Sequence, residues 1–171
     1  MPIVTDNETT GSTMTQREHN GPVLFCYDGS EGSRAALSAA AELLESSAEV
    51  VVLTVWEPLA ARLALGGAFA VGALSNEGEL DEQEESFAKA AAQDGAQRAI
   101  QHGFKASAMT MESAEGPALA ILAVAEEISA RLIVCGQRGR NPVRAALLGS
   151  VSHTLAAHAR RPVLIAPEKA A

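Results

Sequence analysis

Apolar and polar positions follow two rhythms along the chain. In Pro22-Val-Leu-Phe-Cys-Tyr-Asp28, Val50-Val-Val-Leu-Thr-Val-Trp56, Leu132-Ile-Val-Cys135 and Pro162-Val-Leu-Ile-Ala-Pro167, nearly every residue is apolar. All four predict strands, the first of them buried and Val50 to Trp56 a parallel strand covered on both faces. A further strand is predicted from Lys105 to Met111. Between these lie stretches with helical recurrence. From Ser30 to Ser47, Ala35, Leu37, Ala40, Ala41, Leu43 and Leu44 recur among Glu, Ser and Arg, which predicts an amphipathic helix. Further helices are predicted from about Glu79 to His102, Pro117 to Ala130 and Ser150 to Ala159. Five strands alternating with four helices predict an α/β fold, an open and mostly parallel five-stranded sheet with right-handed crossovers and helices on both faces.

Two connections are too long for simple turns, Glu57 to Gly78 and Gly136 to Leu148, and long loops in small domains tend to carry function. The first contains an apolar, glycine-broken segment, Leu63 to Leu74, far too short to span a bilayer. It reads equally as a lid over a ligand, a partner-facing patch or a loop packed on its own domain. Glu77 to Glu85, with its run of acids, reads as a solvated helix start that complements the helix dipole.

Residues 1–20 are polar and lack the apolar stretch of a secretion signal, so a disordered tail is expected there, followed by a single domain over residues 21–168. Composition narrows the function. The chain has 171 residues and a net charge of −8, with aromatic residues at 4%. That combination disfavours nucleic acid as the partner, because phosphate is repelled overall and no stacking platform is at hand. The charge is uneven, however. Between Ile128 and Pro167 there is no Asp or Glu, while Arg131, Arg138, Arg140, Arg144, Arg160 and Arg161 all fall there, a local field suited to a small anion. Cys26 and Cys135 sit in apolar runs without disulfide-type spacing, which fits reduced thiols and a cytoplasmic location.

The second long connection reads Gly136-Gln-Arg-Gly139-Arg-Asn-Pro-Val-Arg-Ala-Ala-Leu-Leu-Gly149-Ser150, directly after a strand and before a helix. Glycines permit left-handed backbone angles and close approach to a ligand. Gly149, Ser150, Val151 and Ser152 present the N–H groups of a helix N-terminus, which attracts anions. The bland alternative is that these glycines serve only turns and caps. Neither a Walker-type Gly-x-x-x-x-Gly-Lys-Ser/Thr nor a Gly-x-Gly-x-x-Gly after the first strand occurs, which disfavours P-loop and dinucleotide-binding enzymes.

Tyr27-Asp28-Gly29-Ser30 after the opening strand, Gly136-x-x-Gly139 followed after nine residues by Gly149-Ser150, and the ending Arg161-Pro-Val-Leu-Ile-Ala166 together resemble the universal stress protein family, in its ATP-binding group, over Pro22 to Pro167. The resemblance implies strand order 3-2-1-4-5, with a ligand at the switch point between the first and fourth strands. It implies that Asp28 bonds the adenine or ribose side, that Val55 contacts the base, and that Cys26 and Cys135 flank it. Gly136, Arg138 and Gly139 would line ribose and phosphates, and Gly149, Ser150, Val151 and Ser152 would hold the phosphates. The implied ligand is ATP, with or without Mg²⁺, with AMP or a cyclic nucleotide as alternatives. The implied assembly is a homodimer through Val163 to Ala166. Gln137 and Cys26 depart from the family pattern, which commonly has Ser and an aliphatic residue or Pro at those positions.

Several residues keep a second reading. Asp28 also fits a strand end that starts the next helix, and Arg138 and Arg140 also fit a solvated loop. Cys26 and Cys135 fit either a redox pair or inert packing. His153 and His158 are five apart and face different sides of a helix, a poor metal pair. Ser150 and Ser152 lack a nucleophile-elbow context. The expected function is a nucleotide-dependent regulatory, stress-response protein. The alternative is a slow ATP hydrolase or phosphotransferase using the same pocket, although no water-activating base and no Walker lysine are evident. A receiver-like signalling domain would need clustered acids where Asp28 stands alone.

Overall fold

The computed structural model describes residues 21–66, 77–139 and 148–167. The chain runs β1 (Val23–Cys26), α1 (Glu31–Leu43), β2 (Glu49–Trp56), α2 (Leu59–Gly66), α3 (Glu77–Gln101), β3 (Lys105–Glu112), α4 (Pro117–Glu127), β4 (Leu132–Gly136), α5 (Ser150–His158) and β5 (Val163–Ala166). All five strands are parallel and stand in the order β3-β2-β1-β4-β5. The fold class and the strand order implied by the resemblance are therefore the ones observed.

The apolar run of the central strand has the predicted cause. Val23, Leu24 and Phe25 are successive residues of β1 that point to opposite faces, yet none is more than 1% exposed. Both faces of the central strand are covered. On one side Val23, Phe25, Val50, Val52 and Val134 pack against Ala36, Leu37 and Ala40 of α1 and Ala96 and Ala99 of α3. On the other, Leu24, Leu53, Ile133 and Cys135 pack against Ile121, Val124 and Ala125 of α4 and Leu155 of α5.

Local chemistry sets the helix ends. Ser30 caps α1, its Oγ accepting from Ser33 N at 3.2 Å, while Ser33 Oγ donates to the Ser30 carbonyl at 2.9 Å. The helix stops at Leu43, short of the predicted Ser47, because Leu44 turns extended and Ser47 adopts φ 77°. α4 ends at Glu127 rather than Ala130, with Ser129 at φ 50°.

Glu57 to Gly78 is not simply a loop. Its first part is α2 and its last residues begin α3; residues 67–76, like the N-terminal tail, lie outside the described residues. Leu and Ala favour the helix intrinsically, and a contact from afar completes it. The Asp81 carboxylate accepts from the Leu59 N–H at 2.7 Å, capping α2 from α3, and Arg62 pairs with Glu84 at 3.0 Å. The acidic run is thus more than a solvated face, since two of its members anchor a neighbouring helix.

α3 approaches the sheet through small residues. Ala88, Ala92, Ala96 and Ala99 are buried at helical spacing, and Gly95 lies against the aromatic ring of Tyr27. A Cβ at position 95 would come within 2.8 Å of both the Tyr27 ring and Val52 Cγ1. Gly95→Ala is therefore expected to destabilise the fold by about 1–3 kcal/mol through overpacking. Alanine's intrinsic helix advantage of about 1 kcal/mol opposes that loss. Urea unfolding of the two proteins checks the sign, and a higher midpoint for the alanine variant would refute the close approach.

Candidate functional site

At the C-terminal ends of β1 and β4, where the strand order reverses, the structure has an open cavity of about 360 Å³. Each predicted residue, Cys26, Asp28, Val55, Cys135, Gly136, Arg138, Gly139, Gly149, Ser150, Val151 and Ser152, lines it. Arg140 and the rest of the loop through residue 147 lie outside the described residues. Tyr27, Ser33, Leu53, Pro117, Ile121, Gln137 and Leu148 line the cavity as well and were not anticipated. Leu53 was accessible to reasoning, because it lies two residues before Val55 on one strand and so shares its face. Pro117 and Ile121 are one helical turn apart, but nothing local indicates that α4 begins beside the cavity.

The glycines act differently from the expectation. Among the described glycines, positive φ occurs at Gly29, Gly103 and Gly116, none of which belongs to the Gly136–Gly149 loop. Close approach explains the loop glycines instead. A Cβ on Gly136 would fall 2.7 Å from the carbonyl carbon and oxygen of Gly32, so the end of β4 rests on the first turn of α1. A Cβ on Gly139 would fall 2.8 Å from Asp28 Oδ2. The two loops that follow β1 and β4 therefore touch across the switch point. Gly149 is the N-cap of α5 at φ −70° and ψ 165°.

One anticipated donor is unavailable to a ligand. Gly149 N–H donates to the Gln137 carbonyl at 2.9 Å, and the Ser152 hydroxyl reaches the same oxygen at 2.8 Å. These bonds close the loop and orient α5. Its first backbone donors, those of Ser150, Val151 and Ser152, have no intrahelical acceptor by helix geometry, and the N-cap supplies no side-chain acceptor. They form the cavity's anion-attracting end.

Asp28 stands just beyond β1, with Oδ1 accepting from Ser30 N at 3.0 Å. It thus helps start α1 while its other oxygen faces Gly139. The preceding residue is anchored firmly. Tyr27 N donates to the Leu53 carbonyl at 2.9 Å, and its own carbonyl accepts from Thr54 Oγ1 at 2.7 Å. The Tyr27 hydroxyl donates to Asp94 Oδ2 at 2.6 Å, and Arg98 Nε meets the same oxygen at 2.8 Å. Burial and the Asp94 hydrogen bond push the Tyr27 phenol up, while hydrogen bonds from Arg98 and Tyr27 hold Asp94 down.

Leu53, Val55, Pro117, Ile121, Cys26 and Cys135 give the same cavity an apolar lining. Burial pushes the Cys135 thiol up to about 11. Burial, with the neighbouring Cys135 and Asp28 adding negative charge, raises Cys26 well above its ordinary value. Both are protonated near neutrality, which argues against thiolate chemistry at either. Among the described residues, no group of three or more His, Cys, Asp or Glu is arranged to hold a metal ion, and no helix is long and apolar enough to cross a membrane.

The sequence profile of the Universal stress protein family matches residues 19–167. No curated protein sequence matches significantly. Among solved structures, universal stress protein UspA from Lactobacillus plantarum is similar at 22% identity, with 86% of this chain and 98% of that one covered and a TM-score of 0.65. A universal stress protein in complex with cAMP is similar at 23% identity, 88% and 99% coverage and a TM-score of 0.59. The universal stress protein from Archaeoglobus fulgidus in complex with dAMP is similar at 19% identity, 86% and 98% coverage and a TM-score of 0.57.

The thiol environment sets a pH dependence. An unfolded cysteine releases its proton near 9.0, whereas Cys135 in the folded chain holds it to about 11. Between those values the folded state binds more protons, so stability falls as pH rises. The loss attributable to Cys135 is about 2 kcal/mol by linkage. Urea unfolding at pH 8 and pH 10.5 is expected to show a smaller decline for Cys135→Ala than for the unmodified chain, and equal declines would contradict the buried thiol.

Proposed function

The chain belongs to the universal stress protein family, and from that premise we propose that it binds an adenine nucleotide, ATP foremost, in the cavity at the β1–β4 switch point. The observation that carries this reading is the pairing of two unlike surfaces in one cavity. Apolar side chains line it together with the N-terminus of α5, whose N-cap is a glycine. A flat apolar base joined to an anionic phosphate chain matches both. Asp28 lines the same cavity, beside Gly139, in position for a ribose or base donor. The complexes of relatives with cAMP and dAMP support the ligand class.

Binding rather than turnover is the activity. Asp28 is the sole carboxylate among the described lining residues, and one of its oxygens serves the α1 turn. Mg²⁺ would arrive on the phosphates and keep most of its waters, since one carboxylate is too few for a protein cage. The role is therefore regulatory, with nucleotide occupancy setting the state of the switch-point loops. β5 is an edge strand whose Val163, Leu164 and Ile165 remain partly exposed. An apolar edge of this kind supports a homodimer that covers it. Free thiols support a reducing, cytoplasmic setting.

The phosphate contact is testable by deleting one backbone donor. Ser150 is the first residue of α5, where proline is tolerated, and Gly149 already has the extended backbone that a following proline demands. Ser150→Pro is expected to leave the fold intact and weaken ATP roughly tenfold to a hundredfold, the worth of a charge-assisted hydrogen bond, while adenosine binds unchanged. Asp28→Asn is expected to weaken ATP and adenosine alike. Calorimetry with both ligands separates these outcomes, and ATP affinity unmoved by Ser150→Pro would remove α5 from the site.

A further inference from the structure

Two free thiols share the floor of the cavity. Cys26 ends β1, and Cys135 is the last residue but one of β4. The register that pairs Phe25 with Val134 brings the next residue of each strand, Cys26 and Cys135, alongside one another. Neighbouring strands lie about 4.8 Å apart. Both residues belong to the core on the α4 and α5 side of the sheet, so both side chains leave the same face. Cys135 is buried and Cys26 half-buried, and Leu53, Val55 and Ile121 wall the space around them.

We propose that Cys26 and Cys135 form a dithiol site that captures trivalent arsenic, as arsenite or an organic arsenical, at the floor of the cavity. The ligand class follows from the surroundings. A soft cation or an alkylating agent demands thiolates, and the apolar floor opposes charge there. An arsenical demands none. An As(III) diol brings two hydroxyls to two protonated thiols; two As–O bonds break, two As–S bonds form, and each thiol proton leaves with a hydroxide as water. Arsenic stays trivalent, and the product is as neutral as the reactants. The first As–S bond places the second thiol beside the arsenic, so ring closure is intramolecular and favoured by the rigid strands. The organic substituent rests on the apolar wall. The capture uses none of the phosphate contacts and does not depend on nucleotide binding.

The probe is phenylarsine oxide, added in one equivalent to the reduced full-length chain. Intact mass is expected to show one adduct per chain, with both thiols lost to a thiol count. A dithiol such as 2,3-dimercaptopropanol should reverse it, whereas a large excess of a monothiol should not. Capture by the folded chain should be at least tenfold tighter than by the chain unfolded in urea, and Cys26→Ala or Cys135→Ala should each yield only adducts that a monothiol strips. Should either variant fail to fold, the folded-against-unfolded comparison decides alone. An adduct that leaves one thiol reactive, or equal capture by folded and unfolded chain, would overturn the proposal.

Discussion

The site depends on the peptide unit of Gln137. Its N–H donates to the Ala166 carbonyl at 2.8 Å, tying the end of β4 to β5, and its carbonyl receives Gly149 N–H and the Ser152 hydroxyl. One residue thus holds the exit of a long loop, its return, and the first turn of the helix that follows. Each bond contributes only about 1 kcal/mol net, but a buried carbonyl left without a donor costs more than that. The arrangement resists partial loosening. With Gly136 seated on the carbonyl of Gly32, the starts of α1 and α5 are held in fixed relation to the two central strands.

The chemistry of the cavity follows from that placement. β1 ends in a tightly held turn, with Tyr27 bonded through its backbone to β2 and through its hydroxyl to α3. Asp28 therefore projects from an anchored position. The strand ends supply apolar surface, including two thiols that burial keeps protonated, and α5 supplies backbone donors. The division into an uncharged floor and a dipolar end arises from where strands stop and a helix starts, with few charged side chains involved.

Much of this was legible in the sequence because each signal was local. Consecutive apolar residues in β1, β2 and β4 announced strands, and the glycine loop between β4 and α5 announced the site. What could not be read was contact between distant segments. The cap that Asp81 places on Leu59 turned an expected loop partly into helix α2, and no periodicity encodes such a bond. The loop glycines were legible as glycines but not in their reason. Left-handed angles and close approach to a ligand are the sequence-based expectation, whereas the neighbours Gly32 and Asp28 impose the absence of a side chain at Gly136 and Gly139. Gly149 likewise reads as a phosphate donor, yet its N–H closes the loop itself. Pro117 and Ile121 reach the cavity only because the topology brings α4 there.

The strand order carries a consequence for biosynthesis. β1 is the first described strand and the central one, and its two neighbours arrive at very different times. β2 begins at Glu49, soon after β1, whereas the opposite edge waits for β4, where Val23 pairs with Leu132. On the ribosome, β1 to β3 can assemble while that edge of β1 still shows bare N–H and C=O groups. Until β4 emerges, the nascent chain presents the kind of open strand edge that invites pairing with other chains. The strand that closes that edge, β4, ends in Cys135 and Gly136, which line the cavity at the switch point.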